Sequence, residues 1–493
     1  MRKLQANRFQ SPSFHMPSKF VDSAIYLYIG IPILIFLLGW IKWFISIPVS
    51  ILILFSLYKC IKNSNAVYPA LEKKNRSVFG IVILLAFAWV YLSGVGGFTY
   101  QNYDHLWRNE IFRILVRSDW PVQKEILVGD ATQTKFISYY IGFWLPAALF
   151  GKIFGLMGGF LFQALWAALG IVFVFVKMSE FLGHCKVSIL LIFIFFSGLD
   201  IAGCALLGEN IFGIDFLRHL ELWSGFDYQF SSHTTQLFWV FNQAIYGWLL
   251  TMMILNEKEN KNLILIWSCG LLECTFPFVG MIPFLVYRVI ANCSKESFFQ
   301  KNTIIKNIKN LFTFENIIGG GFIGIISFLY LYGSNDHTST KAAVNIITRI
   351  GIYKYILFVM VEAGIYYFVI HGLHRNKPLY YISLVSLLLC PLIRVGNGID
   401  FSMRASIPGL LVLCLLVTKS LFETWKTNKV RFFVILLVVL IGSITPLHEF
   451  FRTTVNSGRM GEQIEYVSEE DVYTSVNFTG VSEDSVFMKY LAK

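Results

Sequence analysis

Residues Ser23 to Ile41 read SAIYLYIGIPILIFLLGWI, a run with no charged side chain. A helix rising about 1.5 Å per residue needs roughly 20 apolar residues to cross some 30 Å of hydrocarbon, so this run reads as a membrane span. Phe79–Gly97 and Gly158–Val176 are built the same way. Around them the chain of 493 residues is 56% hydrophobic and only 14% charged, where soluble domains carry about a quarter charged residues. Its solvent is lipid. Working outward, thirteen spans can be drawn: 23–41, 44–58, 78–97, 158–177, 187–206, 235–255, 262–275, 277–290, 315–332, 353–371, 379–394, 405–420 and 430–446. The expectation is an all-α, polytopic transmembrane helix bundle of about 11–13 spans, with amphipathic interfacial helices in its outer loops.

Two regions resist a simple reading. Residues 262–290 are interrupted by Thr275-Phe276-Pro277-Phe278, which predicts a broken helix pair inside the bundle or a re-entrant segment. Residues 136–151 are apolar but carry Pro146, and a full crossing there would invert every later loop, so they are expected as an interfacial or re-entrant segment on the outer face.

The net charge of +11 suggests nucleic acid until its distribution is considered. With the N-terminus in the cytoplasm, the inner segments 1–22, 59–77, 177–186, 256–261, 288–312, 372–377 and 419–431 hold 24 of the 41 Lys and Arg. That bias marks the cytoplasmic face of a plasma (inner) membrane protein and not a nucleic-acid surface. The first span follows a basic stretch without a small-residue cleavage site and is expected to stay as a signal anchor. The eight cysteines form no CxxC pair and read as small apolar fillers. The expected divisions are a cytoplasmic segment 1–22, a two-helix hairpin 23–77, a bundle 78–446 with outer loops 98–135, 207–234 and 394–403, and an exported tail 447–493.

Chemistry is expected in those outer loops. The first reads GGFTYQNYDHLWRNEIFRILVRSDWPV from Gly96 to Val122 and sets Asp104 just beyond a span, where a carboxylate can act as a base. From Trp107 onward Trp107, Ile111 and Leu115 alternate with Arg108, Arg113 and Arg117 at helical spacing, predicting a short amphipathic helix. In the second loop His219, Glu221, Trp223, Asp227 and Tyr228 interleave polar groups with aromatic rings, a pattern suited to stacking on a sugar and binding its hydroxyls. The third reads RVGNGIDFSMRASIP from Arg394 to Pro408, where Arg394 and Arg404 bracket Asp400 and could bind a lipid-linked phosphate. Glu273 and Glu362 are ionisable groups inside expected spans.

An acid directly after an early span, the string DHLWRNEI followed by WPV, the stretch YYIGFWLPAALFGKIFG from Tyr139 and the later FSMRASIP resemble the GT-C superfamily of membrane glycosyltransferases over Phe79 to Leu416. The resemblance implies transfer of a sugar, by an inverting hexosyl- or pentosyltransferase, from a polyprenyl-phosphate donor to a glycan or lipid acceptor on the extracytoplasmic face. It implies Asp104 as general base and Arg404, with Arg394, on the donor phosphate. No DxD or paired Asp-Glu stands in the first loop, so no metal ligands are assigned. A transporter or flippase of lipid-linked sugars, or a glycan polymerase or ligase, is the competing reading. The polar candidates gather on one face and no internal repeat is visible, which favours an enzyme over a transporter.

Overall fold

The computed structural model describes residues 18–64, 66–128, 131–207, 219–225, 227–293, 309–333, 351–395, 399–457 and 466–493. Most of the segment 1–22, the part 208–218 of the second loop and 396–398 of the third lie outside the described residues. Eleven helices among those described are long and apolar enough to cross a membrane, confirming an all-α polytopic bundle. Two of the thirteen expected spans fall short. Residues 262–275 form only a short helix and turns, and 379–394 form a shorter apolar helix, Pro378–Leu392.

The first helices are α1 (Ser18–Trp40), α2 (Trp43–Asn63), α3 (Arg76–Leu92) and α4 (Tyr103–Arg117). Next come β1 (Gln123–Val128), β2 (Ala131–Ile137), α5 (Leu145–Leu182), α6 (Val187–Phe195), α7 (Asp200–Leu206) and α8 (His233–Asn256). Then follow α9 (Leu263–Ser268), α10 (Thr275–Gly280), α11 (Ile282–Cys293), α12 (Gly321–Tyr332), α13 (Ile352–Val359), α14 (Ile365–His374) and α15 (Pro378–Leu389). The chain closes with α16 (Asp400–Ala405), α17 (Ile407–Thr427), α18 (Lys429–Gly442), α19 (Ile444–Ser457), α20 (Glu469–Thr474) and β3 (Thr479–Val481).

Burial follows the inside-out logic of a lipid solvent. α8 runs through the centre and buries Gln236, Asn242, Gln243 and Thr251. Trp43, Ile51, Val430 and Phe433 on the peripheral α2 and α18 stay exposed, as lipid-facing residues must. The N-terminal hairpin drawn at 23–77 is not a separate unit, because Tyr28 of α1 stacks on Trp166 and Tyr246 at 4.2 and 5.2 Å in the middle of the bundle.

Residues 136–151 comprise the end of β2, a tight turn and the first part of α5. Gly155 has φ +81°, a left-handed conformation natural to glycine, and breaks α5 there. The halves pack side by side: a Cβ at Gly151 would meet the Gly159 Cα at 3.3 Å, and Phe150 stacks on Phe162 at 4.7 Å. The interrupted 262–290 segment is a chain of short helices, α9 to α11, with the irregular backbone between Cys269 and Cys274 buried in protein.

The tail is not free. The last spanning helix continues past residue 446 to Ser457, and beyond it the strand order is β1-β2-β3, all antiparallel, with Phe136 opposite Gly480. The tail then reaches the α1–α2 junction, where Lys42 N–H donates to Leu491 O at 3.0 Å and Lys493 N–H to Trp40 O at 3.1 Å. The α1–α2 junction, the first long loop and the tail therefore share one end of the bundle. At the opposite end the Lys19 ammonium donates to the carbonyls of Ile61, Lys62 and Ser64, a cation closing a helix C-terminus.

Gly480 is the tight point of the tail, since a Cβ there would run into the Gly333 carbonyl and the Phe136 ring. Overpacking of this kind costs about 1–3 kcal/mol. Gly480→Val is expected to undock the tail and to speed proteolytic release of a C-terminal epitope tag by about tenfold or more. Unchanged release would show that β3 contributes nothing to holding it.

Candidate active site

The chain leaves α3 through the glycine-rich 93–97, and Thr99 Oγ1 donates to the Tyr91 carbonyl at 2.6 Å. Asn102 then caps α4: its Oδ1 accepts the Asp104 N–H at 3.1 Å while its Nδ2 donates to Phe238 O at 2.7 Å. His105 Nε2 donates to the same carbonyl at 2.8 Å. Phe238 stands beside a break in α8, where Val240 has φ −136° and ψ 37°. α4 is thus pinned to the centre of the bundle by two side chains on one carbonyl.

This seating puts Asp104 in the first turn of α4, 34% exposed, with Oδ2 accepting from Arg108 Nη2 at 2.8 Å one turn later. Arg108 is 5% exposed, lies over the Phe241 ring at 5.9 Å, and has no partner for Nε or Nη1. Arg404, on α16, is 10% exposed, pairs with Asp400 Oδ1 at 3.2 Å, covers the Phe276 ring at 5.9 Å and leaves its Nε unpartnered. Burial alone would raise the Asp104 carboxyl, but Arg108 and then Arg404 outweigh it and hold the group below the usual carboxylate range. Both guanidiniums are also felt at Tyr139, whose hydroxyl donates to Tyr140 Oη at 2.5 Å. His105 adds no charge, because burial and Arg108 push it down to about 4.

Two further polar clusters occupy the same end. In one, Arg394 Nη2 donates to the Asp227 carbonyl at 2.7 Å, Asp227 pairs with Lys354, and Tyr228 is buried against Phe358 at 5.3 Å. Arg394 is thereby tied through one of its nitrogens to the second loop. In the other, Glu449 of α19 lies 3.1 Å from His219 Nδ1 and accepts from Arg452 Nη1 at 2.8 and 3.0 Å and from Trp239 Nε1 at 3.2 Å. Glu221 accepts from Ser232 N–H at 2.9 Å and Gln229 Nε2 at 3.0 Å. Trp223 is buried and donates Nε1 to Glu362 at 2.7 Å. Trp223 and Tyr228 present no open ring face, which corrects the expectation of a sugar-stacking platform. Asn102 joins the clusters, lining a narrow cleft with Tyr100, Phe238, Trp239, Glu449 and Arg452.

Of the sequence candidates, then, Asp104, Arg404 and Asp400 belong to one site, while Arg394, Asp227, Tyr228, His219, Glu221 and Trp223 serve the neighbouring clusters. Arg108, Tyr139, Tyr140, Glu449 and Arg452 were not singled out. The four-residue step from Asp104 to Arg108 was the available signal for the first. Among the described residues, no three His, Cys, Asp or Glu side chains gather as a metal-binding group. The chain matches no protein-family profile, no curated protein and no solved structure.

Burial and the charges of Asp200 and Glu449 push Glu221 up to about 7, with His219 pulling the other way. The folded chain therefore favours protonated Glu221. Its contribution to stability is complete below the ordinary value of 4.5 and is lost as pH rises through about 7. At about 1.4 kcal/mol per pKa unit this amounts to about 3 kcal/mol at most. Unfolding temperatures of purified protein between about pH 5 and 8 should fall with rising pH, and Glu221→Gln should flatten that fall. An equally steep decline in the variant would place the titration elsewhere.

Proposed function

We propose that this chain is a membrane glycosyltransferase that moves a sugar from a polyprenyl-phosphate donor to a glycan or lipid acceptor on the extracytoplasmic face of the plasma membrane. The observation that carries the reading is a partly exposed carboxylate, Asp104, under the influence of two buried guanidiniums, Arg108 and Arg404. The resemblance of the first loop and of FSMRASIP to GT-C enzymes supports it. So does the concentration of basic residues at the other end of the bundle, which by the positive-inside rule favours the Asp104 end as the outer one.

In this reaction the acceptor hydroxyl oxygen forms a bond to the anomeric carbon while its proton passes to Asp104. The bond from that carbon to the phosphate oxygen breaks, and the electron pair leaves with the lipid phosphate. A single displacement inverts the anomeric configuration. The phosphate is already a good leaving group, so it needs charge stabilisation more than a proton. Arg404, held by Asp400 and resting on Phe276, supplies that charge at the membrane edge.

The test is sugar transfer in reconstituted membranes with a panel of polyprenyl-phosphate sugars. Asp104→Asn should lower kcat by about 10²- to 10⁴-fold, the usual worth of a positioned base. Arg404→Gln should lower it by about 10²-fold or more, as loss of a transition-state charge partner does. Full activity in Asp104→Asn would remove it as the base, and no transfer from any lipid-linked sugar would end the reading.

A further inference from the structure

Arg108 is the least explained charge at this end of the protein. The amphipathic pattern places it on the polar face of a surface helix, yet it is 5% exposed, with Phe241 beneath it and only one of its nitrogens satisfied. A buried guanidinium with vacant donors is costly, because each unmade hydrogen bond leaves the full desolvation penalty in place. Arg404 repeats the arrangement: nine-tenths buried, seated on the Phe276 ring, one acid partner and a vacant Nε. Arg108 reaches the Asp104 carboxylate through a 2.8 Å hydrogen bond and Arg404 acts on it through its charge, and both keep vacant donors that an anion with several oxygens would complete.

We infer that Arg108 and Arg404 form a two-sided clamp for the phosphate of a lipid-linked ligand, with Asp104 occupying Arg108 until the phosphate takes it. The inference rests on the reading of this site as one for lipid-linked sugars and adds to it the second phosphate ligand, which is Arg108 and not Arg394. The clamp grips harder as the reaction proceeds, since the phosphodiester donor carries one negative charge and the released polyprenyl phosphate gains a second near neutral pH. Displacing Arg108 from Asp104 also removes the partner that most weakens the carboxylate as a base.

A purely structural ion pair and a clamp make opposite demands on the two partners. If the pair only fixes the start of α4, Asp104→Asn and Arg108→Met damage the protein alike. If Arg108 is a phosphate ligand, removing Asp104 frees it and removing Arg108 disables the site.

The experiment is equilibrium binding of polyprenyl phosphate to the full chain in zwitterionic nanodiscs, with polyprenol and inorganic phosphate as comparison ligands. Unliganded unfolding temperature and monodisperse elution serve as fold controls. Wild type should bind polyprenyl phosphate about 10- to 100-fold more tightly than polyprenol, the worth of charge-assisted hydrogen bonds. Arg108→Met and Arg404→Met should each lose about that factor, Arg108→Lys should recover part of it, and Asp104→Asn should bind as tightly as wild type or more so. Wild-type affinity in Arg108→Met, or a loss in Asp104→Asn equal to that in Arg108→Met, overturns the clamp. Inorganic phosphate binding as tightly as the lipid overturns the lipid-linked assignment. The two readings fail separately: the predicted binding pattern without sugar transfer keeps the clamp and ends the transfer reading, whereas Asp104-dependent transfer with unaltered binding in Arg108→Met does the reverse.

Discussion

A polar group that leaves the helix ladder inside a bilayer has no water to turn to, and the helix breaks among the described residues of this bundle are arranged around that constraint. The break in α8 is where the consequences concentrate. Beside it the Phe238 carbonyl takes hydrogen bonds from Asn102 and His105, and those two bonds fix where α4 begins and hence where Asp104 stands. The gap between α6 and α7 is handled alike. Ile194 O accepts from Thr234 Oγ1, Phe196 O from the His233 N–H and Ser197 O from Tyr366 Oη, while the Leu199 N–H donates to Val361 O. Each break is closed by a side chain or backbone group from another element, so the polar end is cross-pinned although its segments are short.

The same accounting applies to the two polar clusters that hold buried arginines. Around Glu449 the carboxylate itself is filled: Arg452, Trp239 and His219 surround it, the Trp239 ring has His219 at 4.3 Å and Arg452 at 5.6 Å, and Arg452 keeps its Nε without a partner. That cluster locks the second loop to α19. Around Asp104 the balance differs. Asp104 and Asp400 match Arg108 and Arg404 in charge, but two acids on two edges do not fill the donors of two guanidiniums, and Nε and Nη1 of Arg108 and Nε of Arg404 stay vacant. Charge neutrality keeps the empty site tolerable in a low-dielectric setting. Vacant donors keep it receptive.

Most of the bundle was legible in the sequence because length and apolarity are what lipid selects for, and runs such as Ser23–Ile41 carry both. Residues 262–275 misled because protein surrounds them, and hydropathy does not distinguish a lipid neighbour from a protein one; 379–394 fell short in helix length alone, since Tyr381, Val385 and Leu389 keep an exposed apolar face. The span drawn at 430–446 stops short of the end of the helix, which contains Pro446. Pro446 sits at the start of α19, where the first turn of a helix segment tolerates proline, so the helix runs on and carries Glu449 and Arg452 inward. Charge bias placed Asp104, Arg394 and Arg404 at one end but fixed only their height along the membrane normal. Their lateral positions depend on which helices neighbour one another, and that set Arg394 beside Asp227 and Arg404 near Asp104. Arg108 was hidden because helical periodicity predicts which residues share a face, not whether that face meets water or α8.

Asp104 combines two properties that pull against each other in its proposed role. A general base should hold a proton well in the transition state, yet Arg108 and Arg404 keep this carboxylate below the usual range and so make it a poor proton acceptor. In the proposed reaction the conflict dissolves once the donor is considered. A phosphate engaging the guanidiniums neutralises the charges that depress the carboxylate, and the closing of the site by lipid and sugar removes water from it, so both changes raise its basicity. The base then becomes effective only when a donor is bound, and an empty enzyme carries an ionised but unreactive acid. That coupling uses no moving domain. It needs only that the arginines which stabilise the leaving phosphate be the same ones that restrain the base, which is the double role proposed for Arg108 and Arg404.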